Sequence, residues 1–135
     1  MNISKYIGNT IEIILTKSER RGIHGCIRES WSGSSDSETL AWVGIDRAYL
    51  YSIMKYLGDV ISHGITEYRC QSPTLTLVKI SDDEYRLTLS PQDMRLIIRC
   101  METALHRVPD WEFHLLLGVY PKDIRELLEQ FQKIL

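Results

Sequence analysis

From Ser90 to the C-terminus the sequence keeps one rhythm. Apolar residues return every three or four positions, and the run is interrupted only at Pro109 and Gly118. Met94, Ile97, Ile98, Met101, Leu105 and Val108 make a single stripe at helical spacing. Ser90 can cap this helix, Pro91 fits its first position, and Asp93 stands three residues after the cap. Pro109 stops it. Asp110 can cap a short helix, Trp111 to Leu117, which Gly118 closes. Pro121 opens a last one, where Ile124, Leu127, Leu128, Phe131 and Ile134 share a face. Helices are therefore expected at 91–107, 111–117 and 121–134. A helix with one apolar face must lie on a sheet or on another helix. The stripes of this block are assigned wholly to core packing.

Upstream the period shortens to two. Thr74 to Ile80 and Glu84 to Leu89 read as strands joined by Ser81-Asp82-Asp83, an antiparallel hairpin over 74–89. Thr10 to Leu15 alternates in the same way. Ile23 to Ile27, broken by Gly25, and Thr39 to Val43 read as two weaker strands. Between them Asp46 can cap a helix at about 47–62, carrying Leu50, Ile53, Met54, Leu57 and Ile61, with His63 near its negative end and Gly64 closing it. Strands followed by helices predict an α+β fold with an antiparallel sheet packed against helices. The 135 residues are one domain's worth, 1–135, with Ser32 to Ser37 an exposed loop inside it.

The net charge of −2, from 16 basic and 18 acidic residues, argues against long-range attraction to nucleic acid or a membrane surface. Neither direct nucleic-acid binding nor membrane association is expected. No apolar run approaches the ~18 residues of a membrane span, and Met1 to Tyr6 lacks the features of a secretory signal. Cys26, Cys70 and Cys100 are odd in number and widely spaced, which suits a reducing, cytoplasmic location. Charge is unevenly spread. Residues 1–30 are slightly basic, while 31–68 carry Asp36, Glu38, Asp46, Asp59 and Glu67 against Arg47 and Lys55.

A search for chemistry assigns no catalytic, metal or cofactor residue. Neither a glycine-rich phosphate loop nor G-x-S-x-G is present. His24 and Cys26 would point the same way on a strand, but a metal site needs further ligands at suitable spacing. Glu102 and His106 supply two contacts at most. Cys100 sits mid-helix as a packing residue, and Asp82, Asp83 and Glu84 belong at a solvated hairpin tip. The aromatic residues say more. If Leu50, Ile53, Met54 and Leu57 face inward, Tyr49 and Tyr56 flank that stripe and Tyr51 points to solvent. Exposed Tyr and Trp suit protein interfaces, although rings like these also edge cores.

Pro109-Asp110-Trp111-Glu112-Phe113-His114, then Leu116-Leu117-Gly118-Val119, then Lys122-Asp123-Ile124-Arg125-Glu126-Leu127-Leu128, resembles the tail of small bacterial immunity proteins. These are the cognate antitoxins of contact-dependent inhibition and other polymorphic toxin systems. The resemblance covers about 30 of the 135 residues. It implies a non-catalytic protein, without a cofactor, that binds one toxin and blocks it. An acidic surface would suit a basic nuclease toxin. Trp31, Asp36, Glu38, Asp46 and Tyr51, in the acidic segment, are the expected contact residues. Two other readings stay open: a small enzyme or ligand-binding domain with a deep pocket, and a homodimeric structural or regulatory subunit joined through its helical face.

Overall fold

The computed structural model describes residues 2–63 and 70–135, with side chains for 8–60 and 70–135. Gly64 and Glu67, and the side chains of Ile61 and His63, lie outside that range. The order is β1 (Asn2–Ile7), β2 (Thr10–Thr16), α1 (Lys17–Ser32), α2 (Asp36–Val43), α3 (Arg47–His63), β3 (Thr76–Lys79), β4 (Glu84–Leu89), α4 (Pro91–Arg107), α5 (Asp110–Leu117) and α6 (Pro121–Ile134). The fold is α+β. Its four strands lie in the order β1-β2-β4-β3, every neighbouring pair antiparallel.

The period-two reading places one face of this sheet in the core. Ile13, Leu87 and Leu77 stand in register across β2, β4 and β3, with Ile11 beside Leu89 and Leu15 beside Tyr85, and all of them are buried. α1 and α3 cover that face, and α4 and α6 pack behind α1. The outer face carries Glu12 and Arg86, 3.7 Å apart, beside exposed Val78. At the edge, the Leu77 N–H donates to the Tyr56 hydroxyl (3.0 Å), so α3 satisfies a strand group that no further strand meets. The β1–β2 turn has Gly8 at φ +58°, in the first position of a two-residue hairpin loop, where glycine is favoured.

Two strands read from the sequence are helices, and a third strand, β1, was not foreseen. Ile23 to Ile27 lies inside α1, which Thr16 begins with a capping box: the Glu19 N–H donates to the Thr16 hydroxyl (3.1 Å) and the Thr16 N–H to the Glu19 carboxylate (2.8 Å). Ile23, Cys26, Ile27 and Ser30 then follow at helical spacing and are buried. Gly25 does not break a strand. It brings α1 against α5, where an added Cβ would stand 3.3 Å from the Leu117 Cα. Thr39 to Val43 lies inside α2, begun by a second capping box between Ser35 and Glu38 and closed by Gly44 at φ +85°. Its two buried residues, Thr39 and Val43, are four apart, a helical spacing. Of the loop read over Ser32 to Ser37, only 33–35 lies between helices.

α1 holds two basic groups in unusual settings. Arg20 is 6 % exposed, its guanidinium carbon 4.8 Å from the centre of the Tyr85 ring, and its Nε has no hydrogen-bond partner among the described residues. The ring face supplies the attraction that a carboxylate usually provides. His24 lies against α3 at Gly58, close to the Met54 carbonyl. Burial, then the nearby Arg28 and Arg20 charges, hold its pKa below 6.5 against the opposing pull of Met54. The unfolded chain therefore takes up this proton first as pH falls. His24's contribution to stability is complete above 6.5, declines below it, and levels off once the folded protein is also protonated. Urea titrations from pH 8 to 5 should show wild type losing more stability than His24→Gln. A wild-type-to-variant difference that is constant over that range would contradict this.

Candidate functional site

Three helix ends meet where α1 stops, α2 turns and α3 begins. At the end of α1 the Glu29 and Trp31 carbonyls accept only long backbone bonds (3.4 Å) from the Gly33 and Ser34 N–H groups, and α1 has no basic residue in its own last turn. Two arginines from elsewhere fill the gap. Arg47, on α3, donates from Nε to the Ser34 carbonyl (3.0 Å) and from Nη2 to the Trp31 carbonyl (3.2 Å). Arg107, on α4, donates from Nη1 to the Glu29 carbonyl (3.3 Å) and from Nη2 to the Gly33 carbonyl (2.7 Å). Both cations also oppose the negative end of the α1 dipole.

Arg47 is the organiser of the predicted contact residues. Its guanidinium lies 4.0 Å from the centre of the Trp31 ring, and Trp31 meets Tyr51 at 5.2 Å with a 41° tilt. Arg47 also lines an open recess of about 640 Å³ with Asp36, Ser37, Leu40, Asp46, Ala48 and Gln71. The structure thus joins Trp31 to Tyr51, and Asp36 to Asp46, with Arg47 shared. Glu38 stands outside the recess lining, occupied in the α2 capping box. Hydrogen bonds from Ser35, its backbone N–H first, hold the Glu38 carboxyl below its ordinary pKa. Asp46 has a local task too, because its carboxylate accepts the Tyr49 N–H (2.8 Å) at the start of α3. All three acids sit at helix starts, where backbone chemistry already favours a carboxylate. Tyr51 is exposed as expected, Tyr49 is half-buried and Tyr56 is buried.

The far wall of the recess is tied down by a buried acid that the sequence reading used only as a helix-start residue. Asp93 is 3 % exposed. Its carboxylate accepts from the hydroxyls of Tyr49 (3.1 Å), Ser72 and Thr74 (3.2 Å). The Gln71 N–H donates to the Ser52 hydroxyl (3.1 Å), which in turn donates to the Tyr49 carbonyl (2.8 Å). Residues 70–74 are thereby fastened to α3 and α4. Burial pushes the Tyr49 phenol above its ordinary pKa, so it remains a donor.

The stripes of α4 and α6 do pack into the core, but α5 between them carries apolar residues that do not. On α5 the anchors are Phe113, fully buried, and Leu117, 2 % exposed, while Trp111 and Leu115 are each 77 % exposed. Leu116 and Tyr120 are exposed beside them, and the Tyr120 ring stacks on His114 at 4.3 Å. Between the two surfaces Arg107 lies 4.8 Å from the Trp42 ring, in a recess of about 430 Å³ shared with Glu102, Thr103 and His106.

The nucleophile and metal candidates separate. On a helix, side chains two residues apart diverge. His24 faces α3, whereas Cys26 is wholly buried, with the Ser30 hydroxyl reaching both the Cys26 carbonyl (2.9 Å) and the Cys100 carbonyl (3.2 Å). Burial pushes both thiols upward, that of Cys100 to about 12, so neither is a thiolate near neutrality. Asp82, Asp83 and Glu84 are exposed at the hairpin tip, where Lys79 approaches Asp82 at 3.7 Å. Among the described residues no three His, Cys, Asp or Glu side chains gather as a metal site would require, and no helix is long and apolar enough to cross a membrane. No family model, curated protein or solved structure matches the chain.

Proposed function

We propose that this chain is a non-catalytic immunity protein that binds and neutralises a cognate bacterial toxin domain through the surface around Arg47. The supporting observation is the arrangement there: Trp31 held between the Arg47 guanidinium and the Tyr51 ring, beside an open recess lined by Asp36 and Asp46. Aromatic side chains fixed before binding lose little entropy on contact, which is how a few residues come to dominate an interface. The carboxylates would steer a basic partner, and a nuclease surface built to hold phosphates has that charge.

The test must separate charge from folding, because Glu38 and Asp46 also cap helices. Asparagine and glutamine preserve those hydrogen bonds. The triple variant Asp36→Asn, Glu38→Gln, Asp46→Asn should stay folded, losing only the ~0.3–1 kcal/mol that each charge contributes at a helix start, and slow association with the toxin domain about tenfold or more at low salt. Tyr51→Ala should speed dissociation. Growth protection against the toxin encoded beside the chain's gene reads the same effect in cells. Unchanged association and unchanged protection in both variants would sink this surface assignment.

A further inference from the structure

We infer that the chain pairs with a second copy of itself through the outer face of α5. The inference does not rest on the toxin reading. Trp111 and Leu115, each 77 % exposed, are one helical turn apart and point away from the anchors Phe113 and Leu117. Tyr120, 58 % exposed and stacked on His114, forms a shoulder on this ridge, and Leu116 extends it toward α4. Singly exposed apolar side chains are ordinary, but a contiguous ridge marks an interaction site.

Size and charge both point to a second copy as the occupant. An aromatic side chain carries ~150–250 Å² of surface, so Trp111, Leu115, Leu116 and Tyr120 together offer on the order of 500 Å². Two copies would remove roughly 1,000 Å² before any rim is counted, which reaches the ~1,000 Å² that a biological pair should clear and makes it a weak, reversible one. The ridge is also electrostatically asymmetric along its axis. Asp110 and Glu112 stand at the start of α5. At its end are Arg21, whose stem lies against Gly118, and Arg28, which donates to the Leu116 carbonyl. Two copies of α5 laid antiparallel about a two-fold axis set Trp111 of each against Leu115 of the other. The acidic start of each helix then faces the basic end of its mate, and the dipoles oppose favourably.

Sedimentation of the full chain from nanomolar to submillimolar concentration tests the inference. The expected result is a rise from one chain's mass to two, with tryptophan emission shifting to shorter wavelength. Leu115→Glu and Trp111→Ser should each remain monomeric with unchanged helical dichroism, and Leu115→Met should still pair. A single-chain mass throughout, or pairing that survives Leu115→Glu, would overturn the inference. So would a monomer whose ridge variants lose growth protection, because the ridge would then serve another protein.

Discussion

Asp93→Ala is expected to cost about 3–5 kcal/mol of folding stability, because the loss is spread over three hydroxyls and not one. The carboxylate is 3 % exposed and accepts from Tyr49, Ser72 and Thr74. Alanine leaves those donors facing a small void from which bulk water is largely excluded. It also removes a first-turn acid from α4, worth ~0.3–1 kcal/mol against the dipole. Asp93→Asn should cost less, since its amide oxygen still accepts while its nitrogen cannot. Urea unfolding gives the magnitude. Hydrogen exchange should also accelerate at the Gln71 amide, which the same segment holds on Ser52. A loss below about 1 kcal/mol for the alanine variant would mean that the three hydroxyls find other acceptors.

The second large effect is Phe113→Ala, expected at about 3–5 kcal/mol for a buried phenyl ring in a well-packed core. Phe113 is fully buried and, with Leu117, is what attaches α5 to the rest of the chain. The instructive comparison lies two residues away. Trp111→Ala removes a larger ring from the same helix, yet with 77 % of it exposed the stability of the single chain should move by no more than about 0.5 kcal/mol. Measured under monomeric conditions, two equal losses would show that Trp111 is packed in solution, and would remove the ridge.

That comparison also marks where the sequence is silent. α4 and α6 were legible because their signals are local: Ser90, Pro91 and Asp93 at one start, Pro121 at the other, and a stripe of one period between. The 74–89 hairpin was legible for the same reason. α5 is apolar around most of its circumference, so a period of 3.6 cannot say which side is buried. Ile23 to Ile27 and Thr39 to Val43 read as short strands yet fold as helix, although Thr16-x-x-Glu19 and Ser35-x-x-Glu38 both stand in the sequence as helix starts. The candidate surface was half visible. Trp31, Asp36, Asp46 and Tyr51 could be named, but Arg47 drew no notice because its partners are carbonyls 13 and 16 positions away, which carry no side-chain signature. Asp46 is legible both as a charge and as the cap of α3, whereas Glu38 is read for its charge alone and not as the partner of Ser35 in a capping box.

The borrowed arginines at the end of α1 bear on how the chain folds. Arg107 reaches the Gly33 carbonyl across 74 positions of sequence, and Arg47 reaches Ser34 across 13. A ribosome that has released only the first forty residues has made α1 without either closing group, so its last turn should fray until α3 and then α4 arrive. Trp31 sits in that turn. The ring therefore gains its fixed place only once α3 has been synthesised to carry Arg47 and Tyr51, and any local opening of α3 returns it to motion.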